Sequence, residues 1–245
     1  MKGRLRILYY HNIAVAPPGA ALAKLYVTPD DFARQMACLK RLGLRGVSIG
    51  EGLWHLARDR ADRVIALTFD DGYADNLRYA APILHEYRFG ATCYVVTGCL
   101  GQHNLWDAEA LRVRKPLMTA SEQKAWLAQG FELGSHTRTH PRLPTLDDEA
   151  CEAEISGSRE DLERIAGVPI EHFCYPYGAF DARVARHVEA AGYKTAVTTE
   201  RGIALAGDNR VLLPRVPVSG RRGLFRFALR ATTPYGVWRR PRLAA

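Results

Sequence analysis

The chain has 245 residues, 47% hydrophobic and 24% charged, with a formal net charge of +8. This is ample for a core and ordinary for a soluble enzyme, and the length fits one α/β domain or two smaller ones. Five cysteines, an odd number with no Cys-x-x-Cys pair, argue against a disulfide framework or a cysteine–zinc site, and no fixed-period repeat or low-complexity run occurs.

The chain begins basic and continues with an apolar run too short for a signal peptide or a membrane span, so a cytoplasmic protein is expected. Leu5 to Tyr10 reads as a first strand that delivers His11 at its end. Residues 12 to 28, with Pro17-Pro18-Gly19, read as a loop. Thr28-Pro29-Asp30-Asp31 then opens a helix, with a capping threonine, a first-turn proline and acids at the positive end. Phe32, Met36 and Leu39 share its apolar face. Gly43 and Gly46 end that helix and lead into a short strand around Val47 to Ile49.

The run Val64-Ile65-Ala66-Leu67-Thr68-Phe69-Asp70-Asp71-Gly72 reads as a strand buried on both faces that meets two carboxylates and a glycine. Successive side chains on a strand point to opposite faces. Asp70 and Asp71 therefore serve one site only if the backbone turns there, and Gly72 tolerates the angles of a turn. Buried carboxylates in such a place need a cation, hydrogen bonds or solvent; taken alone, the stretch also fits an Asp-Gly turn with solvated acids.

Asn76 to Tyr87 reads as a helix in which Pro82 is an interior oddity. Gly90 to Val96 is a strand. Thr97 to Leu117 is a long loop with a short helix, and its Trp106 either contacts substrate or anchors the loop. Ser121 to Gln129 is a helix feeding a strand that ends in Gly134-Ser135-His136-Thr137-Arg138-Thr139-His140. A tight loop or one helical turn brings His136 and His140 to the same side. With a third ligand they make a metal site with open positions for water and substrate. Asp147 to Ala166 is a polar helix with a solvated charged face. The strand 172 to 175 ends in Pro176-Tyr177-Gly178, and helix 181 to 191 and strand 195 to 199 follow. Strands alternating with helices imply βα units and a mostly parallel sheet.

Thr68-Phe69-Asp70-Asp71-Gly72, Ser135-His136-Thr137-Arg138-Thr139-His140 and Phe173-Cys174-Tyr175-Pro176-Tyr177-Gly178 together resemble the polysaccharide deacetylases, carbohydrate esterases that share the NodB homology domain. The resemblance implies an α/β fold, a distorted (β/α) barrel, with catalytic residues at the C-terminal ends of strands. It implies a metal held by Asp71, His136 and His140, with Asp70 as general base. Tyr177, Pro176 and Trp106 are the substrate-binding candidates, and the Tyr177 backbone N–H the oxyanion donor. A subset of the family opens with a Tyr-His pair, which Tyr10-His11 matches, making His11 the candidate acid. One aspartate and two histidines suit zinc, and also nickel, cobalt or manganese. The implied reaction is hydrolysis of an N-acetyl or other N-acyl group on an amino sugar of a glycan or lipid-linked saccharide. The alternative is a non-catalytic carbohydrate-binding protein that keeps the barrel.

Two departures stand out. The family's third motif carries an arginine where this chain has Cys174, and Arg215, in Leu213-Pro214-Arg215-Val216-Pro217, is the candidate substitute. The family's C-terminal Leu-x-Leu-x-His motif is absent. The expected organisation is one domain over residues 1–220 and a basic tail over 221–245. Residues 209 to 245 hold nine arginines and no acid; with 34 basic and 26 acidic residues in all, 25 basic remain against 26 acidic elsewhere. Phe225, Phe227, Tyr235 and Trp238 interleave with the arginines, a pattern of peripheral contact with an anionic membrane or of a plain basic tail. No fold motif supports nucleic-acid binding.

Overall fold

The structure is a computed structural model and describes residues 3–220 and 223–233. In chain order the strands and α-helices are β1 (Arg4–Tyr10), β2 (Asn12–Ile13), β3 (Tyr26–Val27), α1 (Pro29–Arg41), β4 (Arg45–Val47), α2 (Ile49–Ala57) and β5 (Val64–Phe69). There follow α3 (Ala81–Tyr87), β6 (Thr92–Val95), α4 (Ala108–Leu111), α5 (Ala120–Ala128), β7 (Glu132–Ser135), α6 (Asp148–Ala166) and β8 (His172–Cys174). The last are α7 (Ala182–Ala190), β9 (Thr195–Arg201), β10 (Ala204–Leu205), β11 (Leu213–Pro217) and α8 (Gly223–Thr232). Seven strands close a parallel barrel in the order β1-β11-β9-β8-β7-β6-β5, with β5 returning to β1 over five paired residues. This is the (β/α) barrel that the resemblance implies, and its parallel strands are those that the alternation of elements predicts. β4 lies parallel against the start of β5, and β10 antiparallel against the start of β1.

Strand alternation splits the core in two. On β1, Leu5 and Ile7 belong to one buried cluster and Leu8 and Tyr10 to the other; on β5, Ala66 is set against Ile65, Leu67 and Phe69. The smaller cluster, with Tyr94, Cys174, Val197 and Leu213, fills the barrel. The larger one lies under the helices, where α1 contributes the fully buried Phe32, Met36 and Leu39. Thr28 caps α1 by accepting from the Asp31 N–H at 3.1 Å, as its sequence demands. Asp147 does the same for α6, which ends on Gly167 at φ 69°.

Three local readings change. The strand at Val47 to Ile49 is confined to Arg45–Val47, because Ser48 caps a helix by accepting from Glu51 N at 3.2 Å. That helix, α2, packs on the barrel core, with Gly52 close to Leu5 and Ala66. Pro82 breaks nothing: it is placed in the first turn of α3, after a π-helical turn over Asn76–Ala80 that absorbs its missing N–H. The loop at 12 to 28 contains the short parallel pair β2 and β3.

Helix α8 packs against α1 with Phe227, Arg230 and Ala231 buried. Arg230 donates to the Pro217 carbonyl at 2.7 Å, tying the helix to β11. The rest of the expected tail, Arg221, Arg222 and residues 234–245 with Tyr235 and Trp238, lies outside the described residues. Among the described residues no helix is long and apolar enough to cross a membrane. All five cysteines are unpaired.

Candidate active site

The site lies at the C-terminal ends of β5, β7, β8 and β11. On β5, Thr68 and Asp70 share the inward parity of Ala66, so the Asp70 carboxylate closes the barrel interior from above. Asp71 follows at φ 75° and Gly72 at φ 75°. This left-handed turn breaks the alternation and returns the second carboxylate to the same mouth. Gly72 is also needed for space, since a Cβ there would lie 3.3 Å from the Val95 backbone.

Backbone strain concentrates here. Among the described residues seven non-glycine positions have positive φ, and four of them are Asp71, Thr137, His140 and Tyr177. Arg88 and Arg112, by contrast, are ordinary left-handed helix caps. Each such position costs on the order of 1 kcal/mol or more, and it persists only where surrounding structure enforces it. The enforcement is visible. Thr137 Oγ1 accepts from His140 N at 3.0 Å, and His136 N donates to Val95 O at 2.8 Å. The loop after β7 therefore doubles back, and both histidines face Asp71.

The Nε2 atoms of His136 and His140 each stand 3.4 Å from Asp71 Oδ1, and all three groups are buried. His136 Nδ1 is 2.7 Å from the Cys174 carbonyl, which fixes the proton on that nitrogen and leaves Nε2 as the free lone pair. The His140 ring is clamped between Trp106, stacked at 4.6 Å, and Tyr177, edge-on at 4.6 Å. These donor atoms lie within 4.8 Å of one another, close enough to share one cation. One carboxylate oxygen and two imidazoles, buried and aimed at a common point, fit a divalent metal and leave further coordination positions open. Burial opposes ionisation of Asp71, but the neighbouring His136 and His140 imidazoles outweigh it and hold the carboxyl well below its usual range.

Arg215 is fully buried, 0% exposed, and grips Asp70 with two parallel hydrogen bonds, Nη1 to Oδ1 at 2.7 Å and Nη2 to Oδ2 at 2.8 Å. Its Nε donates to the Thr198 carbonyl at 2.8 Å, Nη1 also reaches Thr68 Oγ1, and Nη2 reaches Cys174 Sγ at 3.2 Å. The Tyr9 ring lies 4.3 Å from the guanidinium. Burial raises the Asp70 pKa, but Arg215, then His11 and His136, bring it below the usual value. The small Cys174 side chain touches the space that Arg215 fills from β11. The arginine absent from the third motif thus has a spatial counterpart on another strand.

His11 follows β1, its carbonyl held by Asn76 Nδ2 at 2.8 Å. Burial lowers its pKa, while Asp71 and Asp70 pull it back up, so its ring is within the field of both carboxylates. His11 and Tyr177 also line a cleft of about 490 Å³ beside the Asp71–His136–His140 cluster. Pro176 is buried in the turn that presents Tyr177. Sequence reasoning did not single out Tyr9, Tyr94 or Thr68, which surround Arg215; their inward strand parity was the available signal.

The family model described as polysaccharide deacetylase matches residues 57–196. The chain belongs to the polysaccharide deacetylase family. Both Arg215 and His11 lie outside the matched segment. The chain is 27% identical over 218 residues to YxkH of Bacillus subtilis (strain 168), covering 88% of this chain and 72% of that one. It is 22% identical over 200 residues to a poly-β-1,6-N-acetyl-D-glucosamine N-deacetylase of Staphylococcus aureus (strain MSSA476), 79% of this chain and 68% of the relative. Among solved structures it resembles the Streptococcus pyogenes deacetylase PplD in complex with acetate, at 28% identity and a TM-score of 0.79, covering 92% of this chain and 96% of the other.

Proposed function

We propose that this family member is a metal-dependent N-deacetylase of an N-acetylated amino sugar within a glycan. The observation that carries the reading is the adjacency of the Asp71–His136–His140 cluster to an Asp70 carboxylate held by Arg215. A binding protein has no need of a base beside a metal site. Asp71, His136 and His140 would hold a divalent cation, zinc foremost, which when bound would supply polarisation of the amide carbonyl and acidification of water.

The chain's own residues divide the remaining work. Asp70, ionised because Arg215 neutralises it, takes the proton of the attacking water. The Tyr177 backbone N–H donates to the oxygen that gains charge, and its ring with Trp106 walls the acyl group. His11 gives a proton to the departing amine. The acetyl group leaves as acetate, and the sugar keeps a free amine.

The test is acetate release from β-1,4- and β-1,6-linked N-acetylglucosamine oligomers by purified protein supplied with zinc. Release by the wild type, and release lower by roughly 10²-fold or more in Asp70→Asn, is expected. No release from any acylated sugar under any of the candidate metals favours the binding-only reading.

We further propose that α8 touches an anionic membrane. Leu224 is 40% and Phe225 77% exposed, and Arg226 beside them is exposed too. Inserting a phenylalanine into lipid contributes about 1.5–3 kcal/mol. Phe225→Glu is therefore expected to weaken co-sedimentation with phosphatidylserine vesicles by roughly tenfold or more. Unchanged co-sedimentation would sink the idea.

A further inference from the structure

We propose, resting on the deacetylase reading, that the cleft beside the metal-ligand cluster selects an amino-sugar substrate bearing an oxyanion, a phosphate ester or a carboxylate, near the N-acetyl group. The cleft wall contains Lys24, Arg142, Arg201 and Arg230, and no aspartate or glutamate. These four cations come from distant parts of the chain. Lys24 is in the 3₁₀ turn before β3, Arg142 follows His140, Arg201 ends β9, and Arg230 is on α8. A charge run on one helix is usually a solvated face; convergence from four elements onto one cleft is not explained that way.

Several arginines elsewhere on the surface are neutralised by a carboxylate. Arg34, Arg45, Arg138, Arg159, Arg164 and Arg183 each have a carboxylate partner within 3.3 Å. Among the described residues, Lys24, Arg142 and Arg201 have no ion-pair partner and are exposed in the cleft. Arg142 is nevertheless held in place, its guanidinium 4.5 Å from the Tyr177 ring. Arg230 is fixed through the Pro217 carbonyl, and a guanidinium so anchored keeps further N–H donors.

The charged part of this lining is one-sided. Ammonium and guanidinium groups donate hydrogen bonds and accept none, whereas the hydroxyls of a neutral glycan donate and accept alike. An oxyanion matches these four cations, and arginine forks suit phosphate and carboxylate geometry. Charges facing a cleft with low-dielectric walls focus their field into it. Tyr177 stands in both the cleft wall and the clamp on His140, so an anion bound here lies close to the reacting amide.

The test compares neutral N-acetylglucosamine oligomers with oligomers of the same length carrying a 6-phosphate or a terminal uronate. The expected result is a kcat/KM higher by roughly tenfold for the acidic substrates at low salt, shrinking at about 0.5 M NaCl as screening shortens. In Lys24→Gln/Arg201→Gln the ratio of acidic to neutral kcat/KM falls toward one. Titration calorimetry with N-acetylglucosamine 6-phosphate and N-acetylglucosamine reads the same preference without turnover. A wild type that turns over and binds neutral and acidic sugars equally overturns the proposal. Tight anion binding lost in the double variant, with no acetate released from any substrate, upholds the subsite and overturns the deacetylase reading. Preference for phosphate over uronate, or the reverse, names the source of the charge.

Discussion

Replacing Asp70 with asparagine is expected to lower acetate release by roughly 10²–10⁴-fold, the usual contribution of a positioned general base. Bound metal should stay at the wild-type level, because Asp70 is not one of the three clustered donors. Asparagine keeps the shape of the side chain but is no base, and it presents an amide N–H₂ to a guanidinium that also only donates. Arg215 is thereby left buried without its counter-charge, which costs on the order of 3–5 kcal/mol of stability. The assay therefore belongs well below the variant's unfolding midpoint, with metal content and circular dichroism confirming a folded, loaded protein. Wild-type turnover in that variant would remove Asp70 from the mechanism.

The second large effect is expected at Arg215. Arg215→Met leaves the Asp70 carboxylate in a buried site with burial unopposed. The cost is again about 3–5 kcal/mol if the carboxylate stays charged, and less if it takes up a proton. The sign of the pH effect follows. In the wild type Asp70 is held below its usual pKa by Arg215. Its contribution to stability is present above the unfolded-state carboxylate pKa and is lost as pH falls through the lower folded value. Without Arg215 the folded value rises above the ordinary one, so the base is protonated at pH values where it is normally ionised. The acid limb of kcat/KM moves up, and acid unfolding begins at higher pH. Arg215→Lys restores a charge but not the two-pronged grip, so its limb should fall between the two. A pH profile of Arg215→Met that superimposes on the wild type would contradict the pairing as the source of Asp70's acidity.

Much of this site is legible in the chain itself. The run from Val64 to Phe69 demands a buried strand, and alternation alone requires a backbone turn if Asp70 and Asp71 are to meet. The turn at Asp71 is that requirement made visible. The spacing of His136 and His140 similarly calls for a loop that doubles back. Arg215 is different, since its 145-residue separation from Asp70 leaves no local pattern; only the cysteine at position 174 signals that a charge must come from elsewhere. It also changes how the arginine-rich end is read, because one of its nine arginines is spent inside the barrel. Helix α2 is hidden for a local reason, since Gly50 and Gly52 dilute its helical pattern while Ser48 and Glu51 carry the cap. Trp106 is open to either role from its loop position, and only the stack on His140 brings it to the site.

Metal content of the purified protein tests the central claim most directly, measured for wild type and His140→Ala after equilibration with zinc. About one equivalent in the wild type, lost in the variant, is expected of a site built from Asp71, His136 and His140. No bound metal in either protein, or equal metal in both, would contradict a hydrolase centre at these residues.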